Sequence, residues 1–321
     1  MRKRFLATAI IMVMLASTAF GLGGCAAEPE VESPDSTAAV QEEAQDAVES
    51  ARAEYFMTAE ELNDSLGDVI VWDARPAAEY EAGHIPGAVN GTWQSFANME
   101  GKPGDKGRTV LLEPDVIAQR LGALGMDFSK PVVVYADPNG WGEDGRIVWM
   151  LRMAGFENTL MLDGGYPYWV AQGYDTTTDV PTITPTTVTI ESWDDSLTTT
   201  TEYIQENFAT VKLMDSRSPK EWDGAQDYGE PRGGRIPGAT FLPFKGCFND
   251  DGTVMSDEDL LAMFEGAGFE KGDDIVVYCT SGIRSAHFTL LLTMLGYEDA
   301  KNYDASFNEW AGIATNEVET D

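Results

Sequence analysis

Short apolar runs alternate along the chain with longer segments in which apolar and polar residues are mixed. Mostly apolar runs of four residues occupy 69–72, 132–135, 211–214 and 275–278. Runs of this length are typical of buried strands, whereas the apolar stretch at 286–295 is long enough to form a helix. Strands that alternate with helices predict an α/β fold with a largely parallel sheet. In such sheets functional sites form at the carboxyl ends of the strands.

The chain from Tyr55 onward repeats itself once. Four segments of its first half recur in the same order, at nearly constant spacing, in its second half. The matched pairs are Asp73-Ala74-Arg75 and Asp215-Ser216-Arg217, 85–88 and 236–239, Tyr135 and Tyr278, and Trp169 and Trp310. The repeat predicts two domains of one fold, at 55–175 and 194–321, with a Thr- and Pro-rich linker at 176–193. The larger spacing at the Ile-Pro-Gly motif predicts a longer loop within 222–234.

Helix starts are marked by three capping patterns. Thr58-x-x-Glu61 and Thr199-x-x-Glu202 have the form of capping boxes, and each is predicted to open the first helix of its copy. Ser256-x-x-Asp259 is a weaker signal of the same kind.

The first 24 residues read as a processing segment. A basic start, Arg2-Lys3-Arg4, is followed by an apolar stretch that is short for a membrane span, and then by Leu22-Gly23-Gly24-Cys25. This arrangement resembles the bacterial lipoprotein signal, and the resemblance implies cleavage before Cys25 and a lipid on that residue. An ordinary secretory signal or an uncleaved anchor are the alternatives, and all three place the rest of the chain outside the cytoplasm.

Residues 25–54 are rich in Glu, Asp, Ala, Ser and Pro. From Ala26 to Glu54 there is no aromatic residue. Such a composition cannot bury a core, so we expect a flexible acidic tether that holds the folded part off the membrane. A frayed helix over 40–54 is the alternative.

The net charge of −33 limits the partners. Nucleic-acid binding is excluded in practice, because phosphate recognition depends on clustered Lys and Arg. An anionic substrate would need a local positive site to overcome this charge. The three cysteines, Cys25, Cys247 and Cys279, are too few for a disulfide framework, and their spacing fits no zinc site. We therefore expect no metal and no cofactor. A monomer is the default expectation for the oligomeric state, with the two copies packing against each other as a pseudo-dimer.

The most informative segment is the loop that begins at Cys279. This cysteine lies where a predicted strand ends and a predicted helix begins. Backbone N–H groups at such a junction, together with the helix dipole, favour an anion on the sulfur, and Arg284 adds a permanent cation. This environment lowers a thiol pKa and favours a nucleophilic thiolate. The alternative is a buried structural cysteine.

Together these motifs resemble the tandem-domain rhodaneses, the sulfurtransferases that act on thiosulfate or 3-mercaptopyruvate. The resemblance covers about residues 55–315 and rests on the paired Asp-x-Arg and Ile-Pro-Gly-Ala elements and on Cys279-x-x-Gly-x-Arg284. It implies two rhodanese-like domains, of which only the C-terminal one is catalytic. The sequence agrees, because no cysteine follows Tyr135 in the first copy.

The resemblance implies a persulfide on Cys279 that is filled by a small anionic donor and emptied by cyanide or a thiol. It implies that Arg284 stabilises the thiolate and the donor, and that Arg217 binds the anionic group of the donor. An ion pair with Asp215 is the alternative for Arg217. The remaining predicted contacts are the loop residues Thr280, Ser281, Gly282, Ile283 and Ser285.

Several alternatives stay open. The order Thr280-Ser281 fits neither a thiosulfate-type nor a mercaptopyruvate-type loop, so the donor is undecided. A phosphatase or arsenate reductase would place the arginine one position beyond Arg284. A non-catalytic binding module, or a persulfide carrier for a partner protein, would use the same fold. For Cys247 we weigh a disulfide with Cys279 against a bystander, and we expect His84 to cap its own loop.

Overall fold

The computed structural model describes residues 51–320. The predicted signal segment, the lipid site at Cys25 and nearly all of the predicted tether lie outside this range. All described residues belong to one compact unit. Within residues 51–320, no helix combines the length and the apolar character needed to cross a membrane.

The first copy is a five-stranded parallel sheet with helices on both faces. Its strands, β1 to β5 in chain order, are Phe56–Met57, Ile70–Asp73, Val89–Asn90, Val132–Tyr135 and Thr159–Leu162. Their spatial order is β1-β5-β4-β2-β3. The helices, α1 to α5, are Ala59–Ser65, Ala77–Ala82, Pro114–Ala123, Glu143–Met153 and Gly165–Ala171, and a 3-10 turn spans Trp93–Phe96.

The second copy repeats this topology. Its strands, β6 to β10 in chain order, are Thr198–Thr199, Lys212–Asp215, Thr240–Phe241, Ile275–Tyr278 and Ala300–Tyr303. Their spatial order is β6-β10-β9-β7-β8. Its helices, α6 to α10, are Thr201–Asn207, Pro219–Trp222, Asp257–Gly266, Ile283–Met294 and Ser306–Gly312, with 3-10 turns at Asp195–Leu197 and Phe244–Cys247. The predicted α/β class with two similar domains is confirmed.

The central strands determine where the residue after Tyr278 lies. Strands β4 and β9 each lie in the middle of a sheet, and all four residues of each are buried. A strand covered on both faces must be apolar throughout, which is the pattern seen in the sequence. Tyr278 ends β9, so the residue after it lies at the carboxyl edge of the second sheet.

The capping predictions are confirmed in part. Thr58 and Glu61 form a capping box at α1, and Ser256 accepts a hydrogen bond from the Asp259 amide at α8. The prediction for Thr199 is wrong, because Thr199 ends β6 and Thr200 caps α6 instead. Pairing of β6 with β10 fixes the backbone of Thr199 in an extended form and shifts the helix start by one residue.

A capping box that the sequence analysis did not identify opens α7. Ser218 accepts from the Glu221 amide, and the Glu221 carboxylate accepts from the backbone of Ser218. This short helix carries a residue of the site described below.

The two copies share an interface built from α4 and α9, which pack against each other. At Gly145 a Cβ would lie 2.5 Å from the Cβ of His287, so only glycine permits this approach. An aspartate of each copy also accepts a hydrogen bond from a backbone amide of the other copy. Asp163 accepts from the Val254 amide at 2.8 Å, and Asp304 accepts from the Leu111 amide at 2.9 Å. The two copies that the sequence repeat predicts therefore make equivalent contacts with each other, as in a pseudo-twofold arrangement.

Arg52 ties the start of the described chain to the fold. Its guanidinium lies 2.6 Å from Asp257 and 3.3 Å from Asp163, and it donates to the carbonyls of Val254 and Met255. The folded part therefore includes Arg52, which the predicted tether of residues 25–54 left outside.

The predicted linker lies along the first copy. The backbone of Thr177 pairs with that of His84, and the Thr186 amide donates to the carbonyl of Gly122. The buried ring of His84 contacts the carbonyl of Tyr80 at 2.8 Å and that of Asp179 at 3.2 Å. His84 thus holds its own loop to the linker, as expected.

Candidate active site

Cys279 follows directly after β9, and the turn that carries it ends at Gly282, the N-cap of α9. Gly282 has a φ of 82°. A Cβ at this position would also lie 2.3 Å from the carbonyl oxygen of Asp304. Only glycine can make this turn, so the Gly of the Cys279-x-x-Gly motif is required by geometry.

The sulfur of Cys279 is held at the floor of the loop. Its Sγ accepts from the Gly282 amide at 3.1 Å and lies 3.6 Å from the Ser285 hydroxyl. The Cys279 amide donates to the Ser306 hydroxyl at 3.1 Å, and its carbonyl accepts from the Phe307 amide. These contacts fix the backbone on both sides of the thiol, so the sulfur has little freedom to leave the site.

The charge state of Cys279 results from opposing effects. Burial by itself raises the pKa of the thiol. The charge of Arg284 and hydrogen bonds from Ser285 and from the Ser281 amide outweigh burial, so the pKa of Cys279 lies below that of an ordinary thiol. The geometry therefore favours the thiolate that nucleophilic chemistry requires.

The guanidinium of Arg284 is held in place by an ion pair with Glu221. Both Nη atoms of Arg284 lie 2.7 Å from the carboxylate oxygens of Glu221, and Nη2 also donates to the Thr280 hydroxyl at 2.7 Å. Thr280 in turn hydrogen-bonds to Glu221. Burial would raise the pKa of Glu221, but its contacts with Arg284, Thr280 and Ser218 dominate and lower it to about 2. Glu221 is therefore a carboxylate at neutral pH.

Glu221 was missed by the sequence analysis. The pattern Ser218-x-x-Glu221 signals a capping box, and that signal was available. It would have predicted a helix start, although not the ion pair with a residue far along the chain.

The structure does not bring Arg217 to the cavity around Cys279. Arg217 is fully buried, its Nε and Nη2 bind Asp215 at 2.9 and 2.6 Å, and Nη2 also donates to the carbonyl of Gly234. Its guanidinium lies over the ring of Phe307. The assignment of Arg217 to donor binding is thus corrected to the alternative, an ion pair with Asp215.

The first copy contains the same ion pair without a cysteine. Arg75 binds Asp73 through Nε and Nη2 at 3.0 and 2.5 Å and donates to the carbonyl of Gly83. Because the pair recurs where no nucleophile exists, its role in both copies is to hold the Ile-Pro-Gly loop against the sheet.

A cavity of about 190 Å³ opens above Cys279. Residues of both copies line it. The first copy contributes Trp93, Met99, Pro103, Arg108, Thr109 and Trp141, and the second contributes Tyr228, Cys279, Thr280, Ser281, Ile283, Arg284 and Asn308. Of the predicted loop residues, Thr280, Ser281 and Ile283 line the cavity, whereas Gly282 and Ser285 contact the sulfur from below. Asn308 donates to the Ser281 hydroxyl at 2.9 Å.

Two exposed aromatic side chains stand at the mouth of this cavity. Trp141 belongs to the loop of the first copy that lacks a cysteine, and Tyr228 belongs to the predicted longer loop of the second copy. Their rings meet edge to face at 5.4 Å. The degenerate loop of the first copy has therefore become part of the wall of the second copy's site.

Arg108 is the second cation of the cavity and was not predicted. Its Nη1 donates to the carbonyls of Met99 at 2.7 Å and Gly101 at 3.2 Å. Within residues 51–320 no carboxylate forms an ion pair with it.

Other candidates lie away from this cavity. Cys247 is fully buried in a 3-10 turn, donates to the carbonyl of Phe244 and has a pKa raised well above that of an ordinary thiol by burial. Both it and Cys279 are free thiols. His287 is buried on α9 between the rings of Phe244 and Phe248. A larger cavity of about 490 Å³, lined by residues such as Thr200 and Glu202, contains no cysteine.

The fold and the site agree with what comparison with known proteins finds. The family model described as the rhodanese-like domain matches residues 58–172 and 200–313. The chain belongs to the rhodanese family. The predicted family and its tandem arrangement are confirmed, and so is the predicted enzyme class, a rhodanese-type sulfurtransferase.

Relatives of this rhodanese cover most of the chain. It is 34% identical to "Sulfur carrier protein TtuD" of Thermus thermophilus, over 73% of this chain and 84% of that protein. It is 30% identical to "Putative thiosulfate sulfurtransferase" of Haloferax volcanii, over 75% and 84%. A solved structure of an EanB variant in complex with ergothioneine superposes with a TM-score of 0.75 at 20% identity, over 84% of this chain and 71% of that one. That last likeness concerns the fold.

Proposed function

We propose that the protein takes the outer sulfur of thiosulfate onto Cys279 and passes it to a thiol or to cyanide. The observation that carries this proposal is the position of Cys279. Its pKa is lowered and its sulfur accepts a backbone hydrogen bond at the floor of the cavity that both copies line. A nucleophile of this kind can form a covalent intermediate and divide the transfer into two steps.

The two half-reactions balance without a cofactor. The Cys279 thiolate attacks the outer sulfur of thiosulfate, a new S–S bond forms, and sulfite leaves with the electron pair of the old bond. The acceptor anion then attacks the outer sulfur of the persulfide, and Cys279 leaves as a thiolate. The Gly282 amide and Arg284 are placed to stabilise the negative charge on the cysteine sulfur and the persulfide.

Thiosulfate is favoured over 3-mercaptopyruvate by the groups around the cavity. Sulfite leaves as a stable anion, whereas the loss of sulfur from 3-mercaptopyruvate leaves an enolate that must be protonated. Among the described residues that line the cavity there is no carboxyl or imidazole group to supply that proton. Relatives named as thiosulfate sulfurtransferases support the same donor.

A second candidate is a persulfide carrier that hands its sulfur to a partner protein. The relative named as a sulfur carrier favours it. The carrier shares the Cys279 chemistry and differs only in the acceptor, so the two candidates separate by comparing small thiols with protein thiols as acceptors.

Intact mass of the chain from Ala26 onward, which retains every described residue, tests the proposal. Thiosulfate should add one sulfur atom to the protein, and cyanide should then remove it. The Cys279→Ala variant should gain nothing, and the matched Cys247→Ala variant should behave as the parent does. No gain with thiosulfate but a gain with 3-mercaptopyruvate would overturn the donor, and no gain with either would overturn the function.

We also propose that the protein is anchored outside the cytoplasm by a lipid on Cys25. The basic start, the apolar stretch and Leu22-Gly23-Gly24-Cys25 support this. Cells fed a labelled fatty acid should label the full chain but not the Cys25→Ser variant. Equal labelling of the two would contradict the anchor.

A further inference from the structure

We infer that Arg108 binds the anionic group of the sulfur donor and makes the cavity select anions. This inference deepens the proposed function and rests on it for the identity of the donor. It assigns to the first copy, which has no nucleophile, a direct part in the chemistry of the second.

The need for another cation follows from the charges at the floor of the cavity. Arg284 binds Glu221 through both Nη atoms, and Arg217 is buried on Asp215. The Arg284–Glu221 pair is neutral as a unit, and a thiolate on Cys279 makes the floor negative. In a chain with a net charge of −33, thiosulfate would approach this floor against repulsion unless another cation compensates.

Arg108 supplies that cation at the cavity wall. Its Nη1 is held by the carbonyls of Met99 and Gly101, which fix the guanidinium without neutralising it. In the described part of the chain no other hydrogen bond of the Arg108 side chain is found apart from a long contact of Nη1 with the carbonyl of Glu100. Its Nε and Nη2 groups thus remain for a ligand, and a guanidinium edge suits the oxygens of a sulfonate or carboxylate.

The residue that follows Arg108 has an unusual backbone conformation. Thr109 has a φ of 67°, which is unusual for a β-branched residue. Its amide donates to the carbonyl of Asn98 at 2.7 Å, and its carbonyl accepts from the buried Arg146 at 3.0 Å. Strain of this kind persists where the surroundings enforce it, and it is concentrated at functional sites.

Arg108 lies on a hairpin that an antiparallel bridge between Ala97 and Leu111 closes, and the second copy has an equivalent hairpin, closed by a bridge between Phe248 and Val254. Leu111 and Val254 are equivalent, since each donates to the interface aspartate of the other copy. Counting back from them, Thr109 corresponds to Gly252, which also has a positive φ, and Arg108 corresponds to Asp251. The hairpin of the second copy lies on the loop that has no cysteine, because a Cβ on Gly252 would be 3.2 Å from Pro138. The hairpin of the first copy, which faces Cys279, therefore carries the cation Arg108. The hairpin of the second copy, which faces the loop without a cysteine, carries the acid Asp251.

Alkylation of Cys279 in the full chain tests the anion site without using sulfur transfer. Iodoacetate and iodoacetamide attack by the same step, in which an S–C bond forms and iodide leaves with the electron pair, but only iodoacetate is an anion. Peptide mapping confines the measurement to Cys279. In Arg108→Gln the rate with iodoacetate should fall roughly tenfold or more, the size expected for loss of a charge-assisted hydrogen bond, and the rate with iodoacetamide should stay within about twofold.

Two variants serve as controls. Arg108→Lys keeps the charge and should retain part of the preference for iodoacetate. Arg120→Gln removes an exposed arginine of α3 that also contacts a backbone carbonyl and does not line the cavity, and it should change neither rate. Unchanged rates with both reagents in Arg108→Gln, or an equal fall in both, would overturn the inference.

Loading with thiosulfate then separates this inference from the proposed function. If thiosulfate loads the parent and loads Arg108→Gln equally well at subsaturating concentration, Arg108 does not bind the donor and the inference fails. If thiosulfate does not load the parent, yet the preference for iodoacetate is lost in Arg108→Gln, the proposed donor fails and the anion site stands.

Discussion

Arg284 and Glu221 form a bidentate ion pair in which both Nη atoms of the arginine lie 2.7 Å from the carboxylate. The pair joins the start of α9 to the short helix α7, and both side chains are buried. It keeps the guanidinium beside Cys279 while it neutralises most of the long-range charge of that group. The arginine of the loop therefore acts on the nearby sulfur more than on a distant anion.

Replacement of this carboxylate should cost stability in a pH-dependent way. The pKa of Glu221 is lowered to about 2 by its partners, although burial opposes them. Its folded pKa lies below the unfolded value of about 4.3, so the stabilisation is complete above about pH 5 and is lost as the pH falls toward 2. Glu221→Gln should therefore lose about 3 kcal/mol of unfolding free energy at pH 7 in urea titrations. A difference from the parent that does not shrink below pH 4 would contradict this.

Loss of Arg284 should raise the pKa of Cys279. Burial already raises that pKa, and the charge of Arg284 is the largest effect that lowers it. In Arg284→Met the pH profile of iodoacetamide alkylation should move to higher pH, and turnover at neutral pH should fall by about a hundredfold. Arg284→Lys, which keeps the charge, should shift the profile less. An unmoved profile would show that the amides of the loop alone set the thiol pKa.

Arg217 should matter for folding and not for the donor. Arg217→Met leaves Asp215 buried without its partner and should cost about 3–5 kcal/mol of unfolding free energy. The matched Arg75→Met variant breaks the same pair in the first copy and should cost a similar amount. The KM for thiosulfate of the folded enzyme should change in neither. A raised KM in Arg217→Met alone would return Arg217 to donor binding.

Arg146 should couple the interface to the loop of Cys279. From the first copy it pairs with Asp304 at 2.5 Å and donates to the carbonyls of Gly282 and Thr109. Arg146→Met should destabilise the protein by about 3–5 kcal/mol and lower the turnover number, because the turn at Gly282 loses support. Arg120→Met, at an exposed site, should change the midpoint of thermal unfolding little. Normal turnover in the folded fraction of Arg146→Met would limit its role to stability.

Cys247 should not react with alkylating reagents in the native protein. It is fully buried, and burial raises its pKa well above that of an ordinary thiol. Iodoacetamide at neutral pH should modify Cys279 and leave Cys247 unmodified until urea unfolds the chain. Mass mapping of the two cysteine peptides checks this. Modification of Cys247 at a rate comparable with that of Cys279 would contradict the structure.

Local patterns determined the fold and indicated Cys279 as the candidate nucleophile. Four-residue apolar runs are typical of strands that are covered on both faces, and β4 and β9 are such strands. The repeat along the chain required a second sheet of the same topology. A cysteine after a strand and a glycine before a helix place the sulfur at a turn of backbone amides, so the position of Cys279 and Gly282 at that turn could be predicted from their spacing.

Contacts between distant segments decided the rest. The sequence left Arg217 with two roles, and only packing against Asp215 and Phe307 selected the structural one. Nothing in the spacing of Glu221 and Arg284 indicates that they meet, since side-chain pairing over such a separation depends on how α7 and α9 are placed. The wall of the cavity, with Arg108 and Trp141, exists only because the two copies pack face to face. Residue periodicity specifies each copy, whereas the site that spans both is a product of their packing.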